Sequence, residues 1–202
     1  YTPELIERAL GDAFGLHRRT PRATSTRPAA VEVPARPPVL CAGCPHRTTY
    51  FAARAAFPED QLFFNDIGCY TLGYGQPLNT ADALLCMGAG FTLAAGVARV
   101  TGKRTVGFMG DSTFFHSGMP PLLNAIKENV SMVAVILDNG VTAMTGFQES
   151  PTAELDAGTI VRGASIADVA RSLGATQVVT VDPEKDLAGT ILAFEHARDA
   201  TG

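Results

Sequence analysis

Two short stretches place oxygen-bearing side chains where a strand should end: Gly110-Asp111-Ser112-Thr113-Phe114-Phe115-His116-Ser117-Gly118 and Asp138-Asn139-Gly140-Val141. Each follows an apolar run, Thr105 to Met109 in the first case and Ser131 to Leu137 in the second. In open parallel α/β sheets, ligands bind outside the carboxyl ends of the strands. Magnesium takes near-octahedral oxygen ligation, with one or two protein carboxylates completed by phosphate oxygens and water. The Asp111 carboxylate, the Asn139 amide oxygen and the Val141 carbonyl are one such set. Ser112, Thr113 and the N–H groups of a helix start behind Gly110 suit phosphate. Asp111 alone is an ordinary turn residue; the pairing of the two stretches is what points to a cation and phosphate site.

The thiols form a second constellation. Cys41-Ala-Gly-Cys44 fits zinc, an iron–sulfur cluster, redox chemistry or coincidence equally well. Cys69 follows a predicted strand end 25 residues past Cys44 and can approach the pair at the same rim. Cys86 has small apolar neighbours, which favours simple burial. His46 either completes a zinc site or contacts a phosphate. His116, just past Asp111, is either a proton-transfer group, since imidazole titrates in the working range, or a rim residue bonded to backbone. His17 and His196 read as solvated.

The elements that must hold these groups alternate. Thr2-Pro3-Glu4 starts an amphipathic helix that ends near Gly15 and must dock on another part. His17 to Pro38 is Pro- and Arg-rich with no apolar period, an extended linker. A compact domain is predicted over 39–202. It holds helices from about Thr48 to Ala56, Met87 to Val100, Met119 to Glu128, Ser165 to Leu173 and Asp182 to Arg198. Its strands are Gln61 to Phe64, Thr105 to Met109, Ser131 to Leu137 and Thr176 to Val181. Such alternation predicts an α/β fold, a doubly wound, mainly parallel sheet with helices on both faces.

The whole chain sets bounds. Its 202 residues, 46% hydrophobic and 18% charged, are ordinary globular composition with a formal charge of −4. The basic arm over 17–40 lacks interleaved aromatics and reads as a solvated linker, so no nucleic acid partner is expected. No apolar run nears the roughly 20 residues that span a bilayer, and no secretory leader pattern opens the chain. A cytoplasmic setting with reduced thiols is expected. Opening on Tyr1, the chain reads as a piece of a longer polypeptide or a processed product. Gly88-Ala-Gly90 is followed by Gly96 and not by a glycine three residues on, so no dinucleotide fingerprint is matched. There is likewise no P-loop and no G-x-S-x-G.

Five blocks in order carry a resemblance: Cys41 to Arg47 (CAGCPHR), Asp66 to Gly73 (DIGCYTLG), Cys86 to Gly90 (CMGAG), Gly110 to Gly118 (GDSTFFHSG), and Asp138-Asn139 with Thr142 to Gly146 (TAMTG). Together they resemble the thiamine-diphosphate-binding region of the indolepyruvate:ferredoxin oxidoreductase large subunit, within the wider 2-oxoacid:ferredoxin oxidoreductases. The match is dense from Val39 to Ser150, and Gly110 to Asn139 is similar in span to the general thiamine diphosphate motif.

The resemblance implies oxidative decarboxylation of an aryl 2-oxo acid to an acyl-CoA, with ferredoxin as electron acceptor. It makes Asp111, Asn139 and the Val141 carbonyl the magnesium ligands. It places Cys44, His46, Gly110, Ser112 and Thr113 around the cofactor, with Gly68, Cys69 and Met144 near its reacting end and His116 and Cys69 as catalytic groups. The activating glutamate would come from a pyrimidine-binding domain elsewhere, with a smaller subunit completing the enzyme. A [4Fe-4S] cluster on Cys41, Cys44 and Cys69 would take Cys86 or a ligand from another chain, since no cysteine follows Cys86. The alternatives are a non-redox thiamine diphosphate decarboxylase or synthase domain, and a zinc-stabilised interaction domain on Cys41, Cys44, His46 and Cys69.

Overall fold

The structure, a computed structural model, describes residues 3–16, 34–153, 155–156, 160–161 and 163–200. The chain divides into two units, Tyr1–Pro37 and Pro38–Gly202. In the first, helix α1 (Pro3–Phe14) is closed by Gly15, whose φ of 63° lets Leu16 N–H return to the Gly11 carbonyl at 3.0 Å. Its apolar residues Ile6, Leu10 and Phe14 are exposed. The expected linker falls largely on residues 17–33, outside the described residues, as does Thr2.

The second unit is built on a four-stranded sheet in the order β2-β1-β3-β4, formed by Ala83–Leu84, Leu62–Asn65, Thr105–Gly110 and Met132–Leu137, with every pair parallel. Strand β3 sits inside, and all six of its residues are buried. On β4 the side chains divide by strand alternation: Val133, Val135 and Leu137 join one apolar cluster, and Met132, Ala134 and Ile136 join the other. Helices α2 (Pro45–Ala56) and α7 (Leu187–Asp199) cover the first face through Tyr50, Ala53 and Phe194. Helices α3 (Ala89–Thr101), α5 (Met119–Lys127) and α6 (Ile166–Ser172) cover the second through Phe91, Leu122 and Ala170. The parallel sheet with helices on both faces is the expected fold class.

Helix α3 lies unusually near the sheet. A Cβ on Gly90 would stand 2.2 Å from the Phe108 carbonyl oxygen, so only glycine permits this approach. The segment after β3 is equally constrained. Helix α4 (Asp111–Thr113), a π-helical turn (Phe114–Gly118) and α5 run on as one helix. Pro120 and Pro121 have no N–H to give the preceding turn, and Met119 N–H bonds back five residues to Phe114.

Four expectations need correction. Helix α2 begins at Pro45, three residues before Thr48, because proline suits the first helical position. The run from Thr176 to Val181 enters no ladder; Val178 packs on the second cluster while Val179 is exposed, so the side chains alternate without a hydrogen-bonded neighbour. Asp182 makes a turn, accepting from Glu184 N–H at 3.1 Å, and the last helix starts only where Asp186 accepts from Gly189 N–H at 2.8 Å. Short pairs escaped the sequence altogether: β2, the hairpin of β5 (Val141–Thr142) with β6 (Gln148–Glu149), and the pair β7 (Leu155–Asp156) with β8 (Ile160–Val161).

Candidate cofactor site

From β1 the chain goes to β2 on one side and then crosses through α3 to β3 on the other. The connections therefore diverge at the carboxyl ends of β1 and β3, which is where open α/β sheets bind ligands. Asp66 follows the first of these ends and Asp111 the second.

Asp111 is buried, at 2% exposure. Its Oδ2 accepts from the Thr152 hydroxyl at 3.2 Å, and the Ser150 side chain and Ser112 N–H also reach the carboxylate. The same Thr152 Oγ1 lies 2.9 Å from Asp138 Oδ1 and 2.7 Å from Ser150 Oγ. One hydroxyl proton cannot serve both carboxylates. Burial first, with the Asp138 charge adding to it, pushes the Asp111 carboxyl above its ordinary value. This pair is short of positive charge, and a hard divalent cation fits it.

Asn139 is exposed, its Oδ1 accepting from Val141 N–H at 3.2 Å, and Val141 opens β5 opposite Glu149. Ser112 Oγ and Thr142 Oγ1 are 2.5 Å apart, which ties the start of α4 to β5. Thr113 behaves differently from Ser112. It is 3% exposed and its hydroxyl lies 3.0 Å from Tyr70 Oη, so it turns inward and leaves its N–H for a ligand. Gly110 is extended at φ −79° and packs on the Tyr70 ring, which would lie 2.6 Å from any Cβ there.

On the other side of the crevice, Gly68 precedes a 3₁₀ turn from Cys69 to Tyr74. Burial raises the Cys69 thiol, with Cys44 and then Cys41 adding to the rise; Cys41 is exposed, and Cys86, expected to be buried among small apolar neighbours, is exposed too. His46 is buried on the first turn of α2, its Nδ1 3.2 Å from Cys44 Sγ, and burial lowers its pKa. Among the described residues no three His, Cys, Asp or Glu side chains stand close enough to hold one metal ion. His116 is exposed on the π turn with no hydrogen-bond partner among the described residues, and Met144 is exposed in the β5–β6 turn.

The sequence reading missed Asp66, Tyr70, Ser150 and Thr152. Asp66 carried the same signal as Asp111, an acid directly after an apolar run; Ser150 and Thr152 carried none, because a distant loop brings them in.

A parallel sheet with an anionic, cation-seeking crevice at its switch point defines a phosphate-cofactor domain, and residues 66–200 match the family of the thiamine pyrophosphate enzyme, C-terminal TPP binding domain, to which this chain belongs. It is similar to the indolepyruvate oxidoreductase subunit IorA of Methanothermobacter marburgensis, 43% identical over 91% of this chain and 30% of the relative. Subunit IorA of Pyrococcus horikoshii is also 43% identical, over 84% of this chain and 28% of the relative. The chain thus spans less than a third of the length of these relatives. Among solved structures it resembles a 2-oxoglutarate:ferredoxin oxidoreductase from Magnetococcus marinus, with a TM-score of 0.64 and 24% identity over 85% of this chain and 62% of that one. It also resembles a thiamine diphosphate-dependent 4-hydroxybenzoylformate decarboxylase from Rhodococcus jostii RHA1, with a TM-score of 0.56 and 18% identity over 87% of this chain and 34% of that one. At these identities the structural likeness speaks for the fold. No helix among the described residues is long and apolar enough to cross a membrane.

Proposed function

We propose that this chain is the diphosphate-holding part of an indolepyruvate-type 2-oxoacid:ferredoxin oxidoreductase, which converts an aryl 2-oxo acid and CoA to an acyl-CoA and carbon dioxide. The observation that carries the cofactor reading is the Asp111–Asp138 pair, two carboxylates on either side of a single hydroxyl at the carboxyl end of a parallel sheet. The similarity to IorA subunits supports the substrate class.

Bound thiamine diphosphate supplies an electron sink for loss of carbon dioxide from a 2-oxo acid. The residues here hold and orient it. Asp111, the Asn139 amide oxygen and the Val141 carbonyl hold magnesium, and Asp138 adds negative charge beside them. Ser112 Oγ and the first-turn N–H groups of α4 meet the diphosphate. His46, whose pKa burial lowers, lies beside Cys44 and lines the diphosphate. Gly68, Cys69 and Met144 face the reacting end, and His116 is the exposed group able to carry a proton. The pyrimidine-binding domain with its glutamate, the smaller subunit and ferredoxin belong to the rest of a cytoplasmic assembly, and Cys41, Cys44 and Cys69 are the ligands this chain offers a [4Fe-4S] cluster, with Cys86 or a group from elsewhere as the fourth.

Titration of the assembled enzyme with thiamine diphosphate and magnesium tests this. Asp111→Ala should abolish cofactor binding, and unchanged binding sinks the proposal. Ferredoxin reduction accompanied by acyl-CoA is the expected product pattern; release of an aldehyde with no electron transfer would place the chain among the non-redox decarboxylases.

A further inference from the structure

Asp66 is the one fully buried carboxylate among the described residues, at 0% exposure, and the cofactor reading gives it no task. Its oxygens are all engaged. Oδ2 accepts from Gly88 N–H at 2.9 Å, Gly90 N–H also reaches the carboxylate, and Oδ1 accepts from the Tyr70 hydroxyl in a short bond. Gly88 and Gly90 flank the start of α3, so Asp66 supplies the negative charge that the positive end of a helix favours. Both α3 and α4 begin at the carboxyl end of the sheet; Asp66 occupies the first start.

Tyr70 carries the effect across to the second. Its single hydroxyl proton faces two acceptors, Asp66 Oδ1 and the Ile67 carbonyl at 3.1 Å, so the Thr113 hydroxyl, 3.0 Å away, must be the donor to Tyr70 Oη. The Tyr70 ring is wedged between the two loops. A Cβ on Gly68 would lie 2.2 Å from it and a Cβ on Gly110 2.6 Å. The backbone of Tyr70 is held as well, its carbonyl accepting from Tyr50 Oη at 2.7 Å. Neither Asp66 nor Tyr70 opens on the crevice, both being at least 95% buried.

We infer that Asp66 and Tyr70 are positioning residues of the cofactor site, acting through Thr113. They draw the Thr113 hydroxyl inward, hold the Gly110–Thr113 turn with its N–H groups toward the crevice, and close the start of α3 to anions, so that a diphosphate is held at one helix start and not at the other. The inference rests on the thiamine diphosphate reading above.

The test uses the assembled enzyme with wild-type chain, Tyr70→Phe, Thr113→Val and the double variant, measuring thiamine diphosphate affinity at fixed magnesium with inorganic pyrophosphate as competitor. Each single variant should weaken cofactor binding about fivefold, the scale of one net hydrogen bond, while kcat at saturating cofactor stays within about twofold. Because both act through one chain, the double variant should bind no more than about twofold worse than the weaker single, whereas independent sites would give a product of about twenty-five-fold. A general loss of stability would lower the amount of active enzyme without producing that coupling. Thr113→Val leaves the Tyr70 ring packed and reads the same chain if Tyr70→Phe does not fold, and Asp66→Asn reads it from the far end. Wild-type affinity in Tyr70→Phe or Thr113→Val, or an additive double variant, overturns the inference alone. A wild-type enzyme that binds no thiamine diphosphate overturns the cofactor reading with it.

Discussion

Asp111 and Asp138 are joined through a single hydroxyl, Thr152 Oγ1, which lies 3.2 Å from one carboxylate and 2.9 Å from the other. The acids come from the ends of adjacent parallel strands, β3 and β4, and the hydroxyl from the loop after the β5–β6 hairpin. Burial, and after it the Asp138 charge, hold the Asp111 carboxyl above its ordinary value.

The pH dependence follows from the direction of the Asp111 shift. Its folded pKa is raised by burial and by Asp138, so the stability linked to it is present below the ordinary carboxylate range and is lost as pH rises through the raised value. Magnesium needs the ionised form and acts in the opposite sense. Thermal melts should show magnesium raising Tm by several degrees near pH 7 and very little near pH 4, and Asp111→Asn should abolish the difference. An equal magnesium effect at both pH values would refute the pairing.

Thr152→Val separates the hydroxyl from the cation. The metal-free protein should lose about 1 kcal/mol, the scale of one net hydrogen bond, because neither carboxylate then has that donor. Magnesium affinity should stay within about threefold, less than the tenfold that 1.4 kcal/mol represents, since the hydroxyl is not among the proposed ligands. Denaturant melts with and without magnesium check both statements.

His46 should give the reverse slope at milder pH. Burial lowers its folded pKa below the ordinary histidine value, so its contribution to stability is present above that value and is lost as pH falls through it toward the folded one. Stability should decline between pH 7 and 5, and His46→Gln should flatten the decline; an unchanged slope in the variant would remove His46 as its source.

Two glycines of one helix should respond with opposite signs. Gly90→Ala forces a Cβ to within 2.2 Å of the Phe108 carbonyl, against backbone that cannot step aside, and should cost at least about 1–3 kcal/mol, the range for overpacking. At Gly96, in the same helix, a Cβ would meet no atom within 4 Å, and Gly96→Ala should add about 0.5–1 kcal/mol by helix propensity. Urea midpoints of the two variants decide it.

What could be read from the sequence is what repeats or is local. The strand-end acids Asp111 and Asp138 announced themselves because each follows an apolar run that becomes β3 or β4. The division of the β4 side chains between the two apolar clusters follows from its continuous apolar composition between two helical layers. The inward turn of Thr113 was not legible, since it depends on Tyr70, 43 residues away. The run from Thr176 to Val181 has the composition of a strand but joins no ladder, although β4 leaves an edge unpaired, and composition alone cannot report whether that pairing is made. Asp66 is the exception: it had the same local signal as Asp111, and only its enclosure beneath α3 sets its task apart.

The π turn between α4 and α5 is, in angular terms, a gear. An α-helix advances by about 100° per residue, and the wider turn over 114–118 holds one residue more than α-helical winding would. It therefore sets the azimuth of Leu122 and Ala125, which must face the sheet, separately from that of Asp111 and Thr113, which must face the crevice and Tyr70. Deleting a single residue from this turn would leave every side chain of α5 chemically unchanged and still point either the core or the cofactor end of the helix about 100° the wrong way.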